Sequence, residues 1–476
     1  MKFSFVNAGP NSDLDEREGK KSVGAWPPLG ILYLAAVLED KGVEVSVLDQ
    51  AAKGLTIRET VKWVKAENPD ILGFSTFATS GRTAALISRE VKKENPNITV
   101  VLGNYYATFN PERVLRKYLS VDIIVRGEGE RTVIDLVDCV KHKGRLKDVL
   151  GINFRNESGL ASTADSPLIK DLDSLPFPDR SLVSEDYHSV MAGANVAPRK
   201  FTSIVSSRGC VYRCRFCCCT QFAHNRWRPR SVKNTMEELL FLASEGYKQF
   251  IFVDDNFTGN PKNVIRLCRE MRREKLDMEW ICEGRVDSGS YEMFWETARA
   301  GCKILYFGIE SANQRILDYY NKRITPEQSR TAVRTARKAG ADVIVGSFIV
   351  GAPDETREEI RNTIEFASRI PIDIPQFNIL GVYPGTEIWD EFEAKGLLKG
   401  GDYWETGIAV SEICPTAVPY NEIRWMVHDG FYHFARRPSF VSKQMARLIK
   451  SPYRVRTVVN NLTRLGGIVG NLRSIT

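Results

Sequence analysis

Histidine is scarce in this chain. Its five copies, His142, His188, His224, His428 and His433, form neither an HxxxH pair nor a CxxC-to-HxxxH set, so a zinc site is disfavoured. Long apolar runs are missing too: no stretch of about 18 uninterrupted apolar residues occurs, as a membrane-crossing helix would need. The opening MKFSFVNAGP is too short and too quickly polar for a signal peptide. These absences lead to the expectation of a cytoplasmic protein whose membrane contact, if it has any, is peripheral. Cysteine is thin outside one place. Five of the ten cysteines fall within Cys210–Cys219 and the others lie apart at 139, 268, 282, 302 and 414. In a chain of 476 residues that pattern argues against a disulfide framework and for metal, redox chemistry or plain packing. Acidic residues vanish from the C-terminus, where Arg436–Thr476 holds nine Lys/Arg and no Asp/Glu. Because the whole chain is only +7, the first 435 residues sum to about −2, and the basic character belongs to the tail.

What is present is core-forming material, 43% hydrophobic residues against 26% charged, in a length that suits roughly three domains. Residues 1–145 alternate strand-like runs (MKFSFVN, EVSVLD, DILGFST, ITVVLG, DIIVRG) with amphipathic helical runs. That alternation predicts a parallel, doubly wound α/β sheet, which binds ligands at the carboxyl ends of its strands. Residues 146–199, with GINFRN and then DLDSLPFPDRSLV, lose any sustained period and read as a linker. A second alternation fills 200–398 with six βα units, which fits either a large open sheet or a partial βα barrel. From 399 to 476 helical, aromatic and basic segments take over.

Cys210, Cys214 and Cys217 spell CxxxCxxC in the loop after the first strand of the second alternation. Three thiolates on one short loop can hold three corners of a four-iron cluster and leave the fourth iron open to a non-protein ligand. With Phe216 before the last cysteine and six βα units behind it, residues 201–398 resemble the radical S-adenosylmethionine (AdoMet) superfamily. The resemblance implies a partial (β/α)6 barrel and a [4Fe-4S] cluster on Cys210, Cys214 and Cys217. Cys218 and Cys219 are not carried over as ligands. It implies that the open iron chelates AdoMet, that one electron cleaves the sulfonium, and that the resulting 5′-deoxyadenosyl radical abstracts hydrogen. A reductase or ferredoxin-type electron donor is then an expected partner. The AdoMet site is expected to use Phe216, with Asp254 and Asp255 accepting from the ammonium, Glu283 and Arg285 after them with the arginine on the carboxylate, Glu310 and Ser311 near the ribose, and Ser347 with Gly351 near the adenine.

Residues 1–145, through PPLGILYLAAVLEDKGVEVSVLD, NPDILGFSTFATS, VVLGNYYATFNPE and VDIIVRGEGE, resemble the cobalamin-binding domain fused to one branch of that superfamily. Cobalamin contacts are expected at Ser75, Thr76, Gly103, Asn104, Gly127 and Glu128. Asn104 departs from the family's second glycine, where a side chain could crowd the cofactor's nucleotide tail. DQAAKG, Asp49–Gly54, mimics the histidine motif of cobalamin enzymes but follows the second strand instead of the first. The first loop, NAGPNSDLDEREGKKSVGAWPPLG, carries no histidine, so cobalt would lack a protein ligand from it. The tail interleaves arginine with Phe, Ile, Leu and Val, a pattern that fits an anionic membrane surface, nucleic acid or a helical cap; no nucleic-acid-binding module accompanies it. The expected function is radical formation of a carbon–carbon bond at an unactivated carbon, by methylation, cyclisation or coupling, on a lipid or other large apolar substrate. The alternatives are a non-catalytic iron–sulfur or corrinoid carrier, and radical modification of RNA or a peptide.

Overall fold

The computed structural model describes residues 1–10, 25–183, 187–398 and 417–473. Two sheets organise it. The first runs β2-β1-β3-β4-β5-β6-β7, with β1 Lys2–Asn7, β2 Glu44–Asp49, β3 Ile71–Ser75, β4 Thr99–Gly103, β5 Ile123–Val125, β6 Ile152–Asn156 and β7 Gly159–Ser162. The five leading strands are parallel, and the order reverses between β1 and β3, so a crevice opens there at the carboxyl ends. Strand alternation sends Phe3 and Phe5 to the face covered by helices Leu29–Glu39 and Glu130–Lys141, and Val6 to the opposite face.

The sheet does not stop near residue 145. Antiparallel β6 and β7 extend it to Ser162, so the first part of the expected linker is sheet. Arg155 explains the anchorage: its guanidinium donates to the carbonyls of Leu115, Tyr118 and Val121. A short ribbon follows, β8 Val190–Met191 with β9 Ala194–Asn195.

The second sheet is a parallel six-stranded partial barrel of β10 Phe201–Ile204, β13 Gln249–Phe252, β14 Glu279–Arg285, β15 Cys302–Glu310, β16 Val343–Val350 and β17 Ile374–Ile379 in that spatial order. Between β10 and β13 the chain also forms the ribbon β11 Ser207–Arg208 with β12 Arg228–Pro229. The lower barrel interior is filled by Phe201, Ile251, Ile281, Ile304, Val343 and Val345, and Tyr453 of helix Pro452–Arg473 plugs it from below. One apolar core crosses the domain boundary: Leu72, Phe74 and Leu102 of the first sheet share a cluster with Ile316, Tyr320, Trp389 and Phe392. The two units therefore pack as one body.

Candidate active site at the domain interface

The loop after β10 is fixed before its cysteines begin. Asp254 is buried and accepts from the Ser206 amide and from the hydroxyls of Ser206 and Ser207, at 2.8, 2.7 and 2.6 Å. Burial pushes its carboxyl up to about 6, with those donors opposing. This carboxylate is spent on the loop, so the expected role toward an AdoMet ammonium is withdrawn. Asp255 accepts from the Gly209 amide at 2.7 Å and faces the interdomain cavity. Gly209 has φ +87, and a Cβ there would lie 2.0 Å from the Arg226 carbonyl, so the turn into Cys210 requires glycine.

The three expected thiols are brought together, each within the electrostatic reach of the other two. Burial pushes up the thiols of Cys210 and Cys214, and a hydrogen bond with Cys219, followed by burial, pushes up that of Cys217. The loop is tethered on several sides. The Arg215 amide donates to the Tyr320 carbonyl at 3.0 Å, Asn321 donates to the Arg213 carbonyl at 2.6 Å, and the Phe216 ring meets Tyr320 edge-on at 5.3 Å. Phe216 thus serves loop packing.

Arg285 is bound chiefly by the protein itself. Its guanidinium donates twice to Asp287 at 2.9 Å and once to the Lys322 carbonyl at 2.7 Å, and lies over the Tyr212 ring at 3.6 Å. Its remaining nitrogen, Nη1, points at Cys214 Sγ at 3.7 Å. Four of its five N–H donors are thus committed within the protein, and it serves the cysteine loop. Glu310 sits at φ 65, after a register shift between Gly308 and Glu310, and accepts from Lys322 Nζ at 2.6 Å. Ser311 is buried, pairs with Thr363 Oγ1 at 3.1 Å and accepts from the Asn313 amide at the start of helix Gln314–Tyr319. Both side chains are held by these protein contacts. The Gly351 amide is likewise committed, donating to Glu355 at 2.6 Å.

Of the expected AdoMet residues, Glu283 and Ser347 stay open to the barrel. Glu283 is exposed at the mouth yet has protein around it, and poor hydration, with Glu310 adding to it, pushes its carboxyl up. Tyr306 lies opposite Glu283 in the β14–β15 register, and Asn378 Nδ2 donates to Ser347 Oγ at 3.1 Å. Sequence reasoning missed Tyr306 and Asn378, although inward register from Glu283 and Ser347 points to both.

In the first domain a cavity of about 330 Å³ opens along the crevice and reaches the cysteine loop. Ser75, Gly103, Asn104, Gly127 and Glu128 line it; Thr76 does not, because its hydroxyl donates to the Gly103 carbonyl at 2.7 Å. Asn104 takes the left-handed conformation, φ 76, that a glycine would use, and Asn104 Nδ2 donates to Ser75 Oγ at 2.9 Å. The side chain is therefore turned aside rather than projecting freely. Glu128 is no free ligand: it accepts from Arg228 twice at 2.9 Å, from Arg208 at 3.1 Å and from the Ile169 amide at 2.9 Å. At the cavity's far end Tyr105 donates to Cys219 Sγ at 3.6 Å, joining the two domains. The loop residues 11–24, including most of the histidine-free segment, lie outside the described residues, as does Cys414.

The Radical SAM superfamily matches residues 204–367 and the B12 binding domain residues 19–137. An uncharacterized methyltransferase of Pyrococcus horikoshii is 38% identical over 381 residues, 80% of this chain and 81% of that relative. The chain belongs to the cobalamin-dependent radical SAM enzymes. An anaerobic magnesium-protoporphyrin IX monomethyl ester cyclase of Cereibacter sphaeroides is 27% identical over 445 residues, 91% of this chain and 70% of the relative. The fold matches TsrM of Kitasatospora setae, a radical S-adenosylmethionine methyltransferase solved with cobalamin and a [4Fe-4S] cluster, with TM-score 0.68 and 18% identity over 84% of this chain and 75% of TsrM.

As a radical SAM enzyme the chain is catalytic, which sets aside the carrier reading, and its cofactors are a [4Fe-4S] cluster, AdoMet and cobalamin. The geometry accommodates them. Cβ atoms built on Gly30 and Gly127 would meet nothing within 4 Å, so the cavity wall is backbone where a bulky tail must approach. Three thiols on one short tethered loop supply the donor set of a cubane with one free corner, although no three His, Cys, Asp or Glu side chains among the described residues converge on a single metal-ion position.

Proposed function

We propose that this radical SAM enzyme forms a carbon–carbon bond at an unactivated carbon of a large apolar substrate, by methylation, cyclisation or coupling. The observation that carries the reading is convergence on one cavity: Gly209, which leads into Cys210, the residues Val205, Val253 and Asp255 just after β10 and β13, and the glycines of the first domain's crevice all line it. Cys210, Cys214 and Cys217 would hold the cluster. Glu283, Tyr306, Ser347 and Asn378 would hold AdoMet, and Gly30, Gly103, Gly127, Ser75 and Asn104 the corrinoid. When bound, these groups supply one-electron cleavage of a sulfonium and a transferable methyl group.

The chain's own contribution is to orient reactants and exclude water. Phe77, Tyr105, Phe109 and Phe222 form a ring ladder across the cleft, with centroids 4.5 to 6.5 Å apart and Phe77 49% exposed. Aromatic faces at a site mouth favour apolar, flat partners. The cyclase relative's name specifies a porphyrin ester, a large flat molecule, in keeping with that lining.

Anaerobically reconstituted protein, given AdoMet and dithionite, should release 5′-deoxyadenosine or S-adenosylhomocysteine. Cys210→Ala, Cys214→Ala and Cys217→Ala should each lose that release, while Cys218→Ala and Cys219→Ala should keep their iron. Release of neither product would overturn the radical assignment. Mass spectrometry of lipid, pigment, RNA and peptide fractions from cells with and without the gene tests the substrate class, and a change confined to RNA or peptides would move it there.

A further inference from the structure

We infer that Arg285, held by Asp287 and seconded by Lys322, sets the reduction potential of the cluster through the ligand Cys214. The inference rests on Cys210, Cys214 and Cys217 being the ligands.

The guanidinium has no freedom to be elsewhere. Arg285 is 5% exposed; Nε and one Nη2 hydrogen are used by Asp287, the other Nη2 hydrogen by the Lys322 carbonyl, and the Tyr212 ring covers one face at 3.6 Å. The backbone beneath is also fixed, since the Arg285 amide donates to Thr258 Oγ1 at 3.0 Å and a Cβ at Gly284 would strike that threonine at 2.4 Å. What remains is Nη1, 3.7 Å from Cys214 Sγ. Lys322 is buried beside it, paired with Glu310 at 2.6 Å, and its charge also acts on Cys214. Cys214 thus faces two buried cations, each with a carboxylate behind it.

Reduction adds one electron and no proton to the cluster, so its net negative charge grows by one. A nearby cation and a hydrogen bond to a ligating sulfur stabilise that more negative state and raise the potential. Removing the cation must lower it. Removing the carboxylate behind the cation must do the opposite, because Asp287 offsets the charge that Cys214 feels. A purely structural role for this network predicts no such opposition of sign.

The test is an EPR-monitored redox titration of the reconstituted full-length protein without AdoMet, with iron and sulfide content measured on each sample. Arg285→Gln and Lys322→Met should move the midpoint to more negative values. At fixed potential the reduced-to-oxidised ratio should fall at least tenfold for Arg285→Gln, about 59 mV for one electron. Asp287→Asn should move it to less negative values. Shifts of one common sign, or no shift in variants with full iron content, would overturn the inference. Should Arg285→Gln fail to assemble a cluster, Asp287→Asn and Lys322→Met still decide the sign. Wild-type protein that binds no iron would instead refute the ligand assignment.

Discussion

At the scale of single residues, the buried carboxyl of Glu355 ties stability to pH. Glu355 accepts from the Gly351 and Ala352 amides at 2.6 and 3.1 Å through one oxygen, while its other oxygen is buried without a partner. Burial outweighs those two donors and raises its pKa from 4.5 to about 7. A raised carboxyl favours the protonated fold, so its destabilising effect is absent below about pH 4.5, grows as pH rises to about 7, and is constant beyond. Glu355→Gln keeps an acceptor for both amides and removes the charge. Its melting temperature relative to the parent should rise from pH 5 to pH 8, by the equivalent of at most about 3 kcal/mol. A pH-independent difference in parallel melts would show that Glu355 is hydrated or otherwise paired. Single residues were also where sequence reading was weakest. The position of Arg285 at a strand end was legible, but its partner Asp287, only two residues on, takes two of its five donors. A strand-end rule locates a side chain near a site without saying which neighbour reaches it first.

At the scale of elements, the ribbon β11–β12 is the clamp between the domains. It carries Arg208 and Arg228, which meet Glu128 and Glu130 from the loop and helix after β5, and the Arg208 guanidinium also lies 5.1 Å over the Tyr33 ring. Burial alone would raise the Glu128 carboxyl, but the Arg228 hydrogen bond and the Arg208 charge hold it below its usual value. Its contribution is therefore present at neutral pH and lost as pH falls through the depressed folded value. Glu128→Gln leaves the buried Arg228 without a counter-charge, while Arg208 keeps Glu130 at 2.7 Å, and should destabilise by about 3 kcal/mol. Because Arg208 precedes Gly209 and Cys210, the same change should weaken hydroxocobalamin retention and lower cluster iron together. Thermal melts, corrin spectra and iron analysis read all three; loss of one cofactor alone would argue that the clamp is local to one domain. The strand–helix alternation made both sheets legible from sequence, since short buried runs between amphipathic helices leave few other arrangements. The strands β6 and β7 were not, because a two-strand antiparallel addition has no helix to mark it and its anchor, Arg155, bonds to carbonyls that sequence does not show.

At the scale of the whole molecule, the basic tail is first of all the barrel's floor. Tyr453 is buried and donates to the Val196 carbonyl at 2.8 Å, Arg447 pairs with Asp373 at 2.7 Å, and Arg454 pairs with Asp342 at 2.7 Å. Arg456 pairs with Glu279, and Asn461 donates to the Asn195 carbonyl at 2.8 Å. Charge interleaved with apolar residues in sequence does not reveal which arginines turn inward, since that depends on acids 74 to 177 positions away. Truncation after Phe434 should therefore unfold or strongly destabilise the barrel: losing the Tyr453 ring alone costs about 3–5 kcal/mol, and Asp342 and Asp373 would lose cationic partners. No described helix is long and apolar enough to cross a membrane. One face of helix Pro438–Lys450 nevertheless exposes Val441, Met445 and Ile449, the last 82% exposed, beside exposed Lys443 and Lys450 with no acid nearby in the sequence. We propose that this face rests on an anionic lipid surface, where each engaged lysine contributes about 1 kcal/mol and the apolar side chains add a salt-resistant share. The triple variant Val441→Ser, Met445→Ser, Ile449→Ser changes only exposed side chains, so it should melt like the parent and lose co-sedimentation with anionic vesicles. Lys443→Gln with Lys450→Gln should weaken binding mainly at low salt. Parent protein that ignores anionic vesicles at low salt, or a triple variant that binds them equally well, would leave the tail with the single role of closing the barrel.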